Sequence, residues 1–207
     1  MLNREIAIKK IASISKLDEK KLKLLEDFES LLKDKNQQYN LIGKSTIDNI
    51  WERHFLDSAQ LIKFIDDKNI KFADLGSGAG LPGIVLSILG VKDIRLIEKS
   101  YRKSEFLRQV KIDLELPFLV HQKNIEELDK SRKFDCIISR ALAPLPKLLN
   151  FANDLLSNDG YCLFLKGKKL DFEISEARKI FDFKHQAFPS ITSSEGQIVK
   201  INKIKKI

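Results

Sequence analysis

An apolar run, Phe72-Ala73-Asp74-Leu75, leads into four glycines within eight positions: Gly76, Gly78, Gly80 and Gly83. This pattern calls for a strand that stops abruptly, a tight turn, and a helix. Glycine lets backbone amides approach a ligand that any Cβ would push away. Pro82 suits the first turn of a helix running through Ile84-Val85-Leu86-Ser87-Ile88-Leu89. The stretch is therefore expected to form a small-molecule site at a strand-to-helix turn.

Two spacings overlap in this turn. Asp74-Leu75-Gly76-Ser77-Gly78-Ala79-Gly80 resembles the first motif of class I methyltransferases dependent on S-adenosylmethionine (SAM). Gly78, Gly80 and Gly83 also satisfy G-x-G-x-x-G, the dinucleotide-binding fingerprint. Asp74 favours the first reading, because a carboxylate at the strand end suits the ammonium and sulfonium end of SAM and would repel a pyrophosphate. A nicotinamide-dependent oxidoreductase remains the alternative for the loop taken alone.

The surrounding pattern sets the fold class. Strands are expected at 71–75, 93–97, 117–121, 134–138 and 160–165, alternating with helices near 83–89, 101–113, 125–129, 144–156 and 171–179. Such alternation builds a parallel sheet covered on both faces. Runs at Phe181 to Ala187 and Ile198 to Ile201 lack a crossover helix between them and read as a closing antiparallel pair. The class is α/β and Rossmann-like, and the antiparallel ending resembles that of class I methyltransferases. Residues 1–68 are expected to form a helical extension packed on a cofactor-binding domain at 69–207. Within the extension, Leu22, Leu25, Phe28, Leu31 and Leu32 recur at helical spacing between Leu17 and Tyr39, with Ser15 and Asp18 in a capping arrangement. A second helix is expected after Ser45, its inner stripe made by Ile47, Trp51, His54, Ser58, Leu61 and Ile65, with Arg53 and Asp57 placed to pair on its surface.

Composition narrows the function. The 207 residues suffice to bury about 70% of the unfolded surface. Their apolar runs fall far short of the roughly 20 residues that span a bilayer, and a cytoplasmic monomer without membrane contact is expected. Cys136 and Cys162 sit inside apolar runs, and His54, His121 and His185 show no ligand spacing with them, so no metal site is implied. Lys and Arg number 37 against 29 Asp and Glu, a net charge of +8 that favours nucleic acid as a partner. A non-catalytic RNA-binding protein with a SAM-like pocket is the third reading.

In an open α/β sheet, ligands bind beyond the carboxyl ends of the strands. Glu98 follows the second strand, 22 residues after Gly76, where a carboxylate accepts hydrogen bonds from both ribose hydroxyls of an adenosine cofactor. Past the third strand, Ile125 beside Glu126 offers a flat apolar contact and an acceptor for adenine. At the tip of the fourth strand, Arg140 is costly to desolvate unless it meets an anion. No Asn/Asp-Pro-Pro-aromatic motif and no cysteine stand at that tip, which argues against methylation of an exocyclic amine or of pyrimidine carbon-5. Lys166, Lys168 and Lys169, at the end of the fifth strand, are expected to contact RNA phosphates.

Taken together, several segments resemble the bacterial small-subunit ribosomal RNA guanine-N7 methyltransferases, the RsmG or glucose-inhibited division protein B (GidB) family. They are Tyr39-Asn40-Leu41, Arg53-His54-Phe55-Leu56-Asp57-Ser58, Gly80-Leu81-Pro82-Gly83, Phe106-Leu107-Arg108-Gln109-Val110, Ser139-Arg140-Ala141 and Leu165-Lys166-Gly167. The resemblance implies a seven-stranded sheet and SAM-dependent methylation of N7 of guanine 527, in the 530 loop of 16S rRNA. It also implies that Gly76, Leu81, Ile125, Glu126 and Arg140 bind the cofactor, to which the glycine loop and the strand-end reading add Gly78 and Glu98. Glu98 replaces a frequent aspartate, and Leu142-Ala143-Pro144 departs from the usual Phe-Ala-Ser.

Overall fold

The structure is a computed structural model that describes residues 4–207. Two helices open the chain, α1 (Arg4–Ile14) and α2 (Glu19–Tyr39). Asp18 alone caps α2, its side chain accepting from the Lys21 amide at 2.9 Å. Ser15 is not part of the cap, because its hydroxyl donates back to the Ile11 carbonyl instead. Leu25, Phe28 and Leu32 of α2 are fully buried, as their spacing requires. Asn40 in the left-handed region ends the helix, and the buried Asn36 side chain accepts from the Ile42 amide at 2.8 Å to turn the chain inward.

The expected second helix is a composite. A 3-10 turn at Lys44–Asn49 leads into a π-helical turn at Trp51–Leu56, a short α3 (Asp57–Ala59) and another 3-10 turn at Gln60–Phe64. Ser45 does not cap it; Thr46 donates to the Gly43 carbonyl at 2.7 Å. The inner stripe holds, with Trp51, His54, Ser58, Leu61 and Ile65 buried and Ile47 partly so. Phe55 stacks on Phe28 with ring centroids 5.4 Å apart and takes Trp51 edge-on at 5.2 Å, which fixes the wide turn against α2.

From residue 71 the chain alternates. Strands β1 (Lys71–Leu75), β2 (Asp93–Ile97), β3 (Leu119–His121), β4 (Phe134–Arg140) and β5 (Leu156–Lys166) run parallel, with β6 (Phe181–Pro189) and β7 (Gln197–Lys206) closing the sheet antiparallel in the order β3-β2-β1-β4-β5-β7-β6. Helices α4 (Gly83–Ile88), α5 (Tyr101–Asp113), α6 (Leu145–Leu155) and α7 (Leu170–Ala177) connect them, while the segment expected as a helix at 125–129 is one 3-10 turn, Ile125–Glu127. One apolar cluster joins α1, α2, α4 and α5 to one face of the sheet; a second joins α6 and α7 to the other. Strand order reverses between β1 and β4, so the crevice outside their carboxyl ends is where the fold offers a site.

Candidate cofactor and substrate site

The glycine loop is held from below. The amides of Gly76 and Ser77 both donate to the Ile97 carbonyl, at 2.9 and 3.1 Å, tying the loop to the end of β2. Gly76 adopts φ +69°, and a Cβ there would come within 2.5 Å of Leu142 Cδ1. Gly78 adopts φ +56°, and a Cβ on it would face open space with only the Gly76 carbonyl within reach, at 3.9 Å. A side chain at Gly78 would therefore occupy room that the loop leaves for a ligand.

Asp74 does not take the part expected of it. It is fully buried, its Oδ2 accepts from the Gly83 amide at 3.0 Å, and it lines neither cavity described below. Burial raises its pKa from 3.8 to about 7, outweighing the hydrogen bond from Gly83. Its Oδ1 has no hydrogen-bond partner. Asp74 thus anchors the start of α4 behind the loop, and Gly83 is required there because a Cβ would meet Leu96 Cδ2 at 2.3 Å and Asp74 Oδ2 at 2.7 Å.

In front of the loop, a cavity of about 390 Å3 brings together Gly76, Gly78, Glu98, Ile125, Glu126 and Leu142. The Glu98 carboxylate is pre-set: one oxygen accepts from the Gly78 amide at 2.9 Å, the other from the Ser100 amide at 2.8 Å. Each oxygen retains acceptor capacity for a ligand hydroxyl. An acceptor pair, an apolar wall at Ile125 and Leu142, and bare backbone at Gly78 match the ribose and ring of an adenosine.

A second cavity, of about 720 Å3, meets the first at Gly76, Gly78, Lys103 and Ala141. Leu81, Arg53 and Arg140 line it. Arg140 Nη1 donates to the Arg53 carbonyl at 3.2 Å, to His54 Nδ1 at 3.0 Å and to Asp57 Oδ2 at 3.5 Å. A guanidinium offers only donors, so Nδ1 accepts and the His54 proton sits on Nε2, which donates to Thr46 Oγ1 at 2.8 Å. Burial, then the neighbouring Arg140 and Arg53, push the His54 pKa down to about 3. Burial also lowers the Arg140 pKa from its usual value, against the opposing pull of Asp57. The other Asp57 oxygen accepts from Thr192 Oγ1 at 2.7 Å and Gln60 Nε2 at 2.9 Å, while the Ile191 amide donates to Gln60 at 3.0 Å. The β6–β7 loop is thereby stitched to the turn that carries Arg53 and His54.

This network differs from the surface pair expected between Arg53 and Asp57: Asp57 pairs with Arg140, and Arg53 is exposed at the cavity. Thr46, Gln60, Ser190 and Thr192 carried no signal in the sequence. Their partners lie as far as 135 positions away along the chain, beyond any periodicity. Lys166 also departs from expectation, since its ammonium is 2.5 Å from Glu173 Oε2 and donates to the Ala143 carbonyl. Lys168 stands exposed at the rim, 3.9 Å from Glu195, and Lys169 is the exposed residue that follows it. Among the described residues, no group of three or more His, Cys, Asp or Glu is placed to hold a metal ion, and no helix is long and apolar enough to cross a membrane.

A seven-stranded sheet with an antiparallel ending, a glycine loop and a ribose-ready carboxylate define a class I SAM-dependent methyltransferase fold. Solved structures agree at the level of fold. A ribosomal protein L11 methylase from Lactobacillus delbrueckii subsp. bulgaricus aligns with a TM-score of 0.59 at 19% identity, over 72% of this chain and 78% of that one. A TehB-like SAM-dependent methyltransferase from Corynebacterium glutamicum gives 0.59 at 18% identity, over 83% and 97%. Closer relatives are the ribosomal RNA small subunit methyltransferase G proteins of Rhodospirillum centenum, 41% identical over 87% of this chain and 83% of the relative, and of Rickettsia prowazekii, 41% identical over 88% and 94%. With residues 21–201 matching its model, the chain belongs to the GidB family, rRNA small subunit methyltransferase G.

Proposed function

We propose that this chain transfers a methyl group from SAM to N7 of a guanine in 16S rRNA, guanine 527 of the 530 loop, acting as a cytoplasmic monomer on the small ribosomal subunit. Residues 1–68 serve as a helical extension that completes the substrate side, and residues 69–207 hold the cofactor. The observation that carries the reading is the meeting of the two cavities at Gly76 and Gly78, with Glu98 on one side and Arg140 on the other. Held there, SAM would supply an electrophilic methyl group on a sulfonium, its sulfur leaving as the neutral thioether once N7 carries the methyl.

The residues around Arg140 suit an acceptor that needs no proton removed. A ring nitrogen already presents its lone pair, so orientation and exclusion of water supply the effect. His54 has both nitrogens engaged and stays neutral to about pH 3, and Asp57 serves as the counter-ion of Arg140 while accepting from Thr192 and Gln60. Both side chains thus position Arg140 and the β6–β7 loop, and a ring-nitrogen acceptor asks neither of them for a general base. With the cofactor bound, Glu98 would hold the ribose hydroxyls, Ile125 and Glu126 would flank adenine, Leu81 would close the loop side, and Arg140 would face its anionic end. The exposed Lys168 and Lys169 take RNA phosphates at the rim.

The test is transfer of labelled methyl from SAM to small ribosomal subunits lacking the modification, with methylguanine mapped by mass spectrometry. Wild-type chain is expected to label one guanine, and Gly76→Asp and Arg140→Ala to lose the label. Full transfer by both variants would remove the site assignment, and label on another base would overturn the acceptor.

A further inference from the structure

At its β3 edge the sheet carries another concavity, of about 200 Å3. Arg95 and Ile97 alternate on β2, and Ile97 lies opposite His121 on β3, so the three side chains share one face. The chain then leaves β3 and folds back towards the start of β4, bringing Lys123, Asp129 and Arg132 to the same space. Arg95 packs over the Phe134 ring, 5.7 Å from its centroid, which forms one wall.

Four nitrogen-bearing side chains thus line one small volume: Arg95, His121, Lys123 and Arg132. The nearby acids are already engaged. Asp93 sits 3.8 Å from Arg95. Asp129 accepts from the amide and hydroxyl of Ser131, at 3.0 and 2.7 Å, and lies 3.7 Å from Arg132 Nε. The His121 Nε2 atom is buried and has no hydrogen-bond partner. A buried polar atom left unmade costs about 1–3 kcal/mol, and gathering cations adds repulsion. A single anion with several oxygens relieves both.

We propose that this concavity binds one phosphate of the RNA backbone, with Arg95, His121, Lys123 and Arg132 as its donors. The assignment to RNA rests on the methyltransferase reading; the anion chemistry does not. Burial, then Arg95, Arg132 and Lys123, lower the His121 pKa, so the imidazole is neutral and donates through an Nε2–H tautomer. Arg132 is 70% exposed, so a phosphodiester reaches it without its chain entering the protein. The concavity shares Ile97 and Lys123 with the adenosine-side cavity, which sets it beside the cofactor.

The experiment follows the His121 imidazole signals in 15N-labelled protein, titrated first with inorganic phosphate and then with a short single-stranded RNA. Both probes are expected to move the His121 signals, and inorganic phosphate to leave those of His54 in place. In parallel, Arg132→Glu is expected to weaken RNA binding by about fivefold at roughly 0.1 M salt, the effect of one lost phosphate contact, with SAM affinity unchanged. His121 signals that respond to neither probe overturn the site. A response to phosphate alone, with RNA affinity unchanged in Arg132→Glu, overturns the RNA assignment. If wild-type chain fails to methylate ribosomal subunits, the functional reading falls, while the phosphate titration still reports on the concavity.

Discussion

His54 and Asp74 are buried titratable residues near the site, and burial moves them in opposite directions. The His54 ring has its pKa lowered from 6.5 to about 3 by desolvation and two arginine neighbours. Below about pH 6.5 the unfolded chain takes up a proton there that the folded chain refuses, so this group's stability is full above that pH and falls by about 1.4 kcal/mol per unit of acidification towards pH 3. His54→Gln keeps an acceptor for Arg140 and a donor for Thr46 but cannot titrate. Denaturant unfolding at a series of pH values is expected to show a flatter acid limb in this variant; an unaltered limb would assign the sensitivity elsewhere. Asp74 has its pKa raised from 3.8 to about 7, so its contribution is full below about pH 3.8 and is lost as pH rises through 7. Asp74→Asn retains an acceptor for the Gly83 amide, and its unfolding free energy relative to the parent is expected to improve as pH climbs from about 4 to about 8. A difference constant with pH would show that Asp74 is ionised in the folded chain after all.

At the level of elements, the β6–β7 loop is held to the helical turns by side chains rather than by backbone pairing. Thr192 donates to Asp57, and Gln60 meets both the Ile191 amide and the Ser190 hydroxyl. Since Asp57 also pairs with Arg140, loosening the loop loosens the arginine. Thr192→Val removes two hydrogen bonds at nearly constant volume, the one donated to Asp57 and the one accepted from Ser190, each worth about 1 kcal/mol. Amide exchange at 190–196 is expected to quicken and methyl transfer to fall roughly fivefold, with the melting transition little moved; exchange as slow as in the parent would mean that Gln60 alone holds the loop. The strands were legible beforehand because runs such as Ile94-Arg95-Leu96-Ile97 carry their period locally, and β1 and β2 fall at the expected residues. That Gly76, Glu98, Ile125 and Glu126 line one cavity was legible for a related reason, as the first two directly follow β1 and β2 and the other two lie in the turn after β3. The π-helical turn was not, since Trp51 to Leu56 is as amphipathic as an ordinary helix and what sets it against α2 is Phe55 stacking on Phe28, far away in the sequence. Nor was the Asp74 role, because a strand-end carboxylate looks alike whether it faces a ligand or the next helix.

Across the whole molecule, the +8 charge is not one patch, and the sheet register says how it divides. Lys166 lies opposite Gln197 where β5 and β7 meet at the cavity end, and Tyr161 lies opposite Asn202. Because β7 runs antiparallel, it carries Lys203, Lys205 and Lys206 away from that end to the opposite end of the strands, where Lys206 pairs with Phe181. Lys168, by contrast, follows β5 directly out to the cavity rim, with Lys169 exposed next to it. Charge that meets the RNA at the site should therefore differ in its effect from charge that only raises the general field. For single strands, each phosphate contact contributes about 0.7 to the slope of log affinity against log salt. Replacing Lys168 and Lys169 by glutamate is expected to lower that slope by at least about 1.4, whereas the same change at Lys205 and Lys206 keeps the net charge identical and leaves the slope near the parent value. Filter binding of small-subunit RNA over a range of salt concentrations separates the two. Equal losses from both pairs would mean that the lysines act through net charge alone, and the rim would then have no privileged part in holding the RNA.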